Sequence, residues 1–366
     1  MTIKIPVYKP FIGPKEKEYV NKCLDTGWVS SKGPYVEKFE SNFAEFIGIN
    51  HAISVSNGTV ALHIALKTLG IGDGDEVIVP SFTYIASVNA ITYCNAKPVF
   101  CDSEPIHWQI DPLKIEEKIT PNTKAILLVH LYGHPCDLPA ISNIASKHNL
   151  FIVEDCAESF GSKYTDKMTG TLGDISTFSF FGNKTITTGE GGMVVTQSDK
   201  LAKLARKLKG QGLHESTEYW HDIIGYNYRM TNICAAIGCA QLEIANELIH
   251  KKRQIAFLYK NNLAGLPFQF HEESEFAYHT YWMNSILLDN SSLRNCIRQH
   301  LSSCGIETRP FFSGVHGMPM YFDSKASFPV CDSLASAGIN LPSYPDLSTQ
   351  EIDYVSKTIR QFFAKK

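Results

Sequence analysis

The stretch Phe178-Ser-Phe-Phe-Gly-Asn-Lys-Thr-Ile-Thr-Thr-Gly-Glu-Gly-Gly192 decides how this chain is read. An apolar run ends in a tight turn bearing one lysine, Lys184, and the chain leaves through a glycine-rich exit. Upstream, Asp155 closes a second apolar run, Leu150-Phe-Ile-Val-Glu-Asp155. Working outward, apolar β-branched runs bounded by turn residues recur at 51–57, 76–80, 98–102, 125–133, 151–156, 175–181 and 192–197. Helical periodicity separates several of them, notably over 59–69 and 138–147. Strands alternating with helices predict an α/β chain with a mainly parallel sheet covered on both faces. Ligands of such sheets gather at the carboxyl ends of the strands, where Asp155 and the turn Asn57-Gly58-Thr59 both fall.

From 230 to about 264 the pattern becomes one long helical stretch. Beyond Gly265-Leu-Pro267 a smaller α+β region is expected, with a strand over 281–288 and helices near 292–303 and 349–363. This predicts a large domain, 1–245, and a smaller carboxyl-terminal one, 246–366. No internal repeat or low-complexity linker interrupts the chain.

With 366 residues the chain is long enough for a large core, and 44% apolar with 19% charged residues is an ordinary globular composition. A net charge of -3 gives no electrostatic case for nucleic acid or an anionic membrane as partner. The start, Met-Thr-Ile-Lys-Ile-Pro, lacks a signal peptide's apolar core, and no run approaches membrane-spanning length. Ten cysteines occur without a CxxC pair. Cys234 and Cys239 are the closest, in a helix-like stretch that favours a core role over a metal site. Disulfides are not expected, and a reducing, cytoplasmic location fits. His130, His134 and His279 lack metal-ligand spacing and are assigned to packing or hydrogen bonding; no metal is expected.

Ser56-Asn57-Gly58-Thr59 leads from a strand directly into a helix. A helix start offers unpaired N–H groups and the positive end of the dipole, so a phosphate fits there, with Gly58 allowing close approach and Thr59 adding a hydroxyl. A plain capped helix has the same sequence. Asp155 equally suits a strand end or a cap, and Lys184 a solvated turn. The conjunction is what carries chemistry: a phosphate cradle, a strand-end carboxylate, then a lysine, in that order. Pyridoxal phosphate requires these groups, an amine to condense with its aldehyde and a carboxylate to keep its pyridine nitrogen protonated. Ser179 could bond the phosphate, and Tyr84 could stack on the ring or be a buried aromatic.

The sequence resembles the DegT/DnrJ/EryC1/StrS family of pyridoxal-phosphate sugar aminotransferases over essentially its full length. The matching stretches are Val29-Ser-Ser-Lys-Gly33, Val55-Ser-Asn-Gly-Thr-Val-Ala-Leu62, Tyr84-Ile-Ala-Ser-Val-Asn89 and His130-Leu-Tyr-Gly-His134. Further on come Glu154-Asp-Cys-Ala-Glu158, the Lys184 segment, Gly225-Tyr-Asn-Tyr-Arg-Met-Thr-Asn232 and Gly338-Ile-Asn-Leu-Pro342. The resemblance implies the aspartate-aminotransferase fold (fold type I), with a seven-stranded sheet. It also implies a homodimer with shared active sites, or a tetramer of two such dimers. Lys184 matches the Schiff-base lysine and Asp155 the pyridine-nitrogen partner. Gly58, Thr59 and Ser179 match phosphate contacts, Tyr84 the stacking aromatic, and Asn227 an asparagine reaching the partner subunit's phosphate, or else a loop-stabilising one. Glu158 stands where many relatives carry Gln beside the ring oxygen, and a carboxylate there would repel a phenolate unless protonated.

By the same resemblance Trp28, Ser30, Arg309, Phe312 and His316 border the substrate. Arg309 could instead lock domains through an ion pair, and His316 could be structural. The implied reaction moves an amino group from L-glutamate to a nucleotide-linked keto-sugar, GDP-4-keto-6-deoxy-D-mannose on the nearest subgroup, for a surface polysaccharide such as O-antigen. UDP- or dTDP-sugars aminated at C4 or C3 are the alternative acceptors. A dehydratase branch of the family replaces the lysine by histidine, which Lys184 argues against. Silent regulators on this fold carry an added DNA-binding domain, whereas the enzyme-like pattern here begins within ten residues.

Overall fold

The computed structural model describes residues 4–364. Its first strands are β1 (His51–Val55), β2 (Glu76–Pro80), β3 (Lys97–Cys101), β4 (Thr123–Val129) and β5 (Phe151–Asp155). A short ribbon, β6 (Lys163–Tyr164) and β7 (Lys167–Met168), precedes β8 (Ile175–Ser179) and β9 (Gly192–Thr196). The seven longer strands form one sheet in the order β1-β9-β8-β5-β4-β2-β3. β2 pairs in parallel with β3 and β4, β4 with β5, and β5 with β8, while β9 runs antiparallel to β8 and β1. The seven apolar runs of the sequence are these seven strands, and the sheet is mainly parallel as expected.

Side chains alternate across the sheet because successive Cβ atoms point to opposite faces. Ile53, Val77, Val79, Leu127 and Val153 enter one core with the helix Gly58–Thr68. Ile78, Ile126, Leu128 and Ile152 enter a second core on the other face with the helix Leu138–His148. At the β1 side, Met193 and Val195 point into an aromatic cluster of Phe39, Phe43, Phe178 and Phe180. Burial on both faces is why these strands read as continuous apolar runs rather than as alternations.

Register places the site. Val129 stands opposite Asp155, and Asp155 opposite Thr177, so the carboxyl ends of β4, β5 and β8 lie level. Gly192 pairs with both Val55 and Ser179, which brings the turn after β1 beside the end of β8.

Later strands are β10 (Phe268–Phe270), β11 (Ala277–Tyr278), β12 (Asn284–Leu288), β13 (Arg309–Pro310) and β14 (Gly338–Leu341). Four of them form an antiparallel sheet, β10-β12-β14-β13, while β11 joins the β6–β7 ribbon. The helices Ala245–Leu263 and Thr349–Ala364 close a separate core containing Ile255, Tyr259, Ile286, Ile339 and Ile359. Ile5 bridges to Ile306 and packs into this same core. We propose the domain division 1–245 and 246–366 on this basis, with the amino-terminal segment crossing it.

Three elements differ from expectation for local reasons. The helical stretch 230–264 is two helices, Asn232–Glu243 and Ala245–Leu263, because Ile244 leaves helical geometry at φ -114 and ψ 10. The strand expected over 281–288 begins at Asn284, since Tyr281 takes a positive φ of 50 and donates its N–H to His279 Nδ1. The run 125–133 leaves the sheet at Val129 and turns through Tyr132, at φ 56.

Candidate active site

Asn57 caps the helix Gly58–Thr68, its side chain accepting the Val60 N–H at 3.0 Å and its carbonyl the Ala61 N–H at 3.1 Å. The N–H groups of Gly58 and Thr59 are left at the positive end of the helix. A Cβ on Gly58 would lie 2.7 Å from Ser179 Cβ and 3.0 Å from its Oγ, so only glycine lets the helix start and the end of β8 close on one another. Gly192 is bound by a similar limit, since its Cβ would lie 2.5 Å from the Asn57 carbonyl oxygen.

Asp155, the last residue of β5, is buried; its carboxylate accepts the Ser87 hydroxyl at 2.7 Å and the Ala157 N–H at 3.0 Å. Burial pushes this carboxyl above its usual value, and the two donors and the Lys184 amine only partly offset that. An adjacent cationic N–H would complete the compensation.

Lys184 sits in a turn closed by its own N–H on the Phe181 carbonyl at 2.9 Å, and the Tyr8 hydroxyl donates to its carbonyl. Its Nζ lies 3.9 Å from the centre of the Trp282 ring. Burial pushes the amine below its usual value, and Glu158 and Asp155 act in the opposite direction. Glu158 is buried and accepts the Tyr132 N–H at 2.8 Å. Burial raises its carboxyl to about 7, against the pull of Lys184, so near neutrality it can carry a proton.

A cavity of about 500 Å³ brings together Gly58, Thr59, Tyr84, Asp155, Glu158, Ser179 and Lys184. Phe312 joins its wall, with its ring centre 5.7 Å from that of Tyr84, which is itself 57% exposed. The other sequence candidates stand outside this wall. Asn227 is exposed and accepts from the Arg229 guanidinium at 2.9 Å. Trp28 and Ser30 are exposed, and their carbonyls receive the side-chain and backbone N–H groups of Asn232. Arg309 pairs with Glu307 at 2.7 Å. His316 bonds the Ser81 hydroxyl at 2.6 Å through Nδ1 and faces Asp332 at 3.3 Å through Nε2.

Several wall residues escaped the sequence reading, among them Ser87, Asn183, Glu190 and Trp282. Asn183 lies inside the quoted stretch, next to Lys184, and its Oδ1 is buried without a partner. Ser87 falls one turn into the helix Ile85–Tyr93, within the quoted Tyr84 motif. Trp282 arrives from the distant β12 approach, for which no local signal exists.

The histidines set aside as structural are hydrogen-bonded as such. His130 accepts the Cys136 N–H on Nδ1 at 3.0 Å, which leaves Nε2 to donate to Glu154 at 2.9 Å. Glu154 also accepts the N–H groups of Gly170, Leu172 and Gly173. His134 Nδ1 bonds the Pro135 carbonyl, and burial lowers its pKa to about 3. His279 Nδ1 accepts from Tyr281, and its Nε2 faces His271.

These residues fit pyridoxal phosphate. A helix start closed by Ser179 offers N–H and hydroxyl donors for a phosphate, a strand-end carboxylate awaits a cationic N–H, and no hydrogen bond engages the Lys184 amine among the described residues.

Comparison with known proteins agrees. Residues 10–360 match the DegT/DnrJ/EryC1/StrS aminotransferase family, and the chain belongs to it. It is thus a pyridoxal-phosphate-dependent aminotransferase. Among curated relatives it is 58% identical to the GDP-perosamine synthase of Escherichia coli O157:H7 over 362 residues, covering 99% of each chain. It is 49% identical to the GDP-perosamine synthase of Vibrio cholerae, covering 98% of this chain and 99% of that one. Among solved structures, the aminotransferase TlmJ from Streptoalloteichus hindustanus superposes with a TM-score of 0.94 at 30% identity, covering 99% of each chain. The putative sugar aminotransferase Spr1654 from Streptococcus pneumoniae, in its PLP form, gives 0.94 at 28% identity, again over 99% of each. No helix among the described residues is long and apolar enough to cross a membrane.

Proposed function

We propose that this chain transfers the amino group of L-glutamate to the keto carbon of GDP-4-keto-6-deoxy-D-mannose, giving GDP-perosamine and 2-oxoglutarate, in the cytoplasm, for a surface polysaccharide such as O-antigen. One observation carries the reaction class: the Lys184 amine, the Asp155 carboxylate and the Gly58-Thr59 helix start share one cavity at the carboxyl ends of the strands. Full-length identity of 58% to a protein named GDP-perosamine synthase supports the acceptor.

When bound, pyridoxal phosphate supplies an aldehyde that carries the amino group and a ring that accepts electrons from the substrate carbon. Gly58 and Thr59, with Ser179, would hold its phosphate, and Tyr84 would pack against its ring. Asp155 keeps a proton on the pyridine nitrogen. With the group bound, Lys184 would take the proton from Cα of the glutamate and then give that proton up again from the same side, base first and then acid. A lowered amine pKa suits the first role, because more of the amine is free to accept a proton near neutrality. Glu158, carrying its own proton, donates to the ring oxygen instead of repelling it. Phe312 borders the sugar; Trp28, Ser30, Arg309 and His316 belong to the outer approach.

The active unit is a homodimer in this reading, or a pair of dimers. Asn227, exposed and outside its own cavity, reaches the partner subunit's phosphate. A second acceptor class has one specific support: the chain is 37% identical, over 88% of its length, to the UDP-N-acetyl-3-dehydro-alpha-D-glucosamine 3-aminotransferase of Acidithiobacillus ferrooxidans. A panel of GDP-, UDP- and dTDP-linked keto-sugars, each with L-glutamate, separates the two. The GDP sugar should be turned over at least about 100-fold more efficiently, a difference of about 2.7 kcal/mol in transition-state binding. Preference for a UDP or dTDP sugar would replace the acceptor and leave the reaction class.

A further inference from the structure

Trp282 reaches the cavity from the carboxyl-terminal region, and no expected role covers it. Its indole face lies 3.9 Å from Lys184 Nζ, and its Nε1–H donates to the Asn183 carbonyl at 2.7 Å. The ring therefore spans the backbone of the Lys184 turn and the amine itself. Behind it sits Lys252, which has 0% exposure and no carboxylate partner among the described residues. The Lys252 amine donates to the Trp282 carbonyl at 2.7 Å and also to the Ser343 carbonyl. It lies 5.3 Å from the ring of Tyr8, whose hydroxyl holds the Lys184 carbonyl. A fully buried lysine is costly, and two backbone carbonyls are what this one satisfies. One buried amine thus ties down the backbone that carries Trp282 and lies against the ring of Tyr8.

We propose that Trp282 is a positioning residue for transamination: its face holds the displaced Lys184 amine and steadies it as the ammonium once it has taken the Cα proton, and Lys252 fixes the backbone that carries that face. This rests on Lys184 being the reacting lysine. An amine displaced from the reacting centre must stay close, take the Cα proton, hold it briefly and give it up again. A hydrogen-bonded carboxylate would hold that proton too firmly, whereas an aromatic face attracts the ammonium without accepting the proton. Glutamate's amine could then enter while Lys184 rests on the indole, still within the same cavity.

The titratable groups around Lys184 are Asp155 and Glu158 in the cavity, Glu190 and Tyr84 in its wall, Tyr8 on the carbonyl, and Lys252 beyond the indole. Asp155 and Glu158 favour the charged amine, burial disfavours it, and the ring adds a further favourable contact.

The test uses full-length, cofactor-free protein. The pKa of the Lys184 amine is read from the pH dependence of its acylation rate, followed on its own peptide by mass spectrometry. Trp282→Leu should lower that pKa by about 1.5 units, the loss of one desolvated cation–π contact. Trp282→Phe keeps a ring and should lower it less. An unchanged pKa in Trp282→Leu, or equal falls in both variants, overturns the proposal; if the leucine variant does not fold, an unchanged or raised value in Trp282→Phe does so. Lys252→Met should lower the pKa in the parent but add nothing in a Trp282→Leu background. A second, additive fall there overturns the anchoring role. Failure of these titrations leaves the assignment of Lys184 standing, since that assignment fails separately, through persistent turnover in Lys184→Ala.

Discussion

Replacing Gly58 by alanine tests the phosphate cradle at its tightest point. The new methyl would lie 2.7 Å from Ser179 Cβ, against roughly 3.4 Å for an ordinary contact, so the two walls must part by about 0.7 Å. Gly58 is the first residue of a helix, where alanine is conformationally at ease, so the cost is one of space rather than of backbone. Overpacking of this kind costs about 1–3 kcal/mol of stability. Parting the walls also removes or lengthens one charge-assisted hydrogen bond to phosphate, about 1.5–3 kcal/mol, or roughly 10- to 150-fold in Kd. Fluorescence titration of the cofactor-free protein with pyridoxal phosphate gives the Kd, and thermal denaturation gives the stability. Ser179→Ala, which keeps the Cβ and loses only the hydroxyl, should weaken binding without the stability cost. Adding Ser179→Gly to Gly58→Ala removes the clash and should restore the stability. The reasoning is refuted if Gly58→Ala binds the cofactor within about twofold of the parent, or if the double variant is no more stable than Gly58→Ala alone.

Other consequences are open to direct measurement. Lys184→Ala should abolish turnover, and multiple turnovers by that variant would remove the lysine from the reaction. Glu158 holds a proton more tightly folded than unfolded, so stability is full below its ordinary pKa of 4.5 and declines as pH rises toward about 7. Glu158→Gln in cofactor-free protein should remove this decline and gain about 2–3 kcal/mol over the parent at about pH 8, with no gain at about pH 4; parallel pH–stability curves would contradict it. Glu154→Ala strands His130 and three backbone N–H groups in a fully buried spot and should cost about 3–5 kcal/mol in denaturant unfolding; a cost under about 1 kcal/mol would mean those donors find other partners. For the proposed dimer, an Asn227 variant mixed with Lys184→Ala should recover one working site, and no recovery would count against sharing.

The sheet was legible because burial on both faces leaves unbroken apolar runs, as at 76–80 and 125–129. The cofactor side of the site was legible for a related reason: Asn57-Gly58-Thr59, Asp155 and Lys184 each lie at or a few residues past the end of a strand, so strand order carries them to one edge. Trp282 gave no such signal, because it comes from a region whose position depends on packing between cores. The ends of elements also escaped where a single residue broke a pattern: Ile244 between two helices, Tyr281 before β12, and Tyr132, whose turn is held by Glu158 from another loop. Arg309 shows the limit most plainly. Its charge left two readings open, an anion or an ion pair, and the residue it pairs with, Glu307, lies two positions away in the same segment.

The most direct test of the account is to supply purified enzyme and pyridoxal phosphate with nitrogen-labelled L-glutamate and GDP-4-keto-6-deoxy-D-mannose, and to follow the label by mass spectrometry. The account predicts a labelled GDP-linked amino sugar formed in equal amount to 2-oxoglutarate, and none from Lys184→Ala. An unlabelled product, or no amino sugar at all while the enzyme holds cofactor, would contradict it.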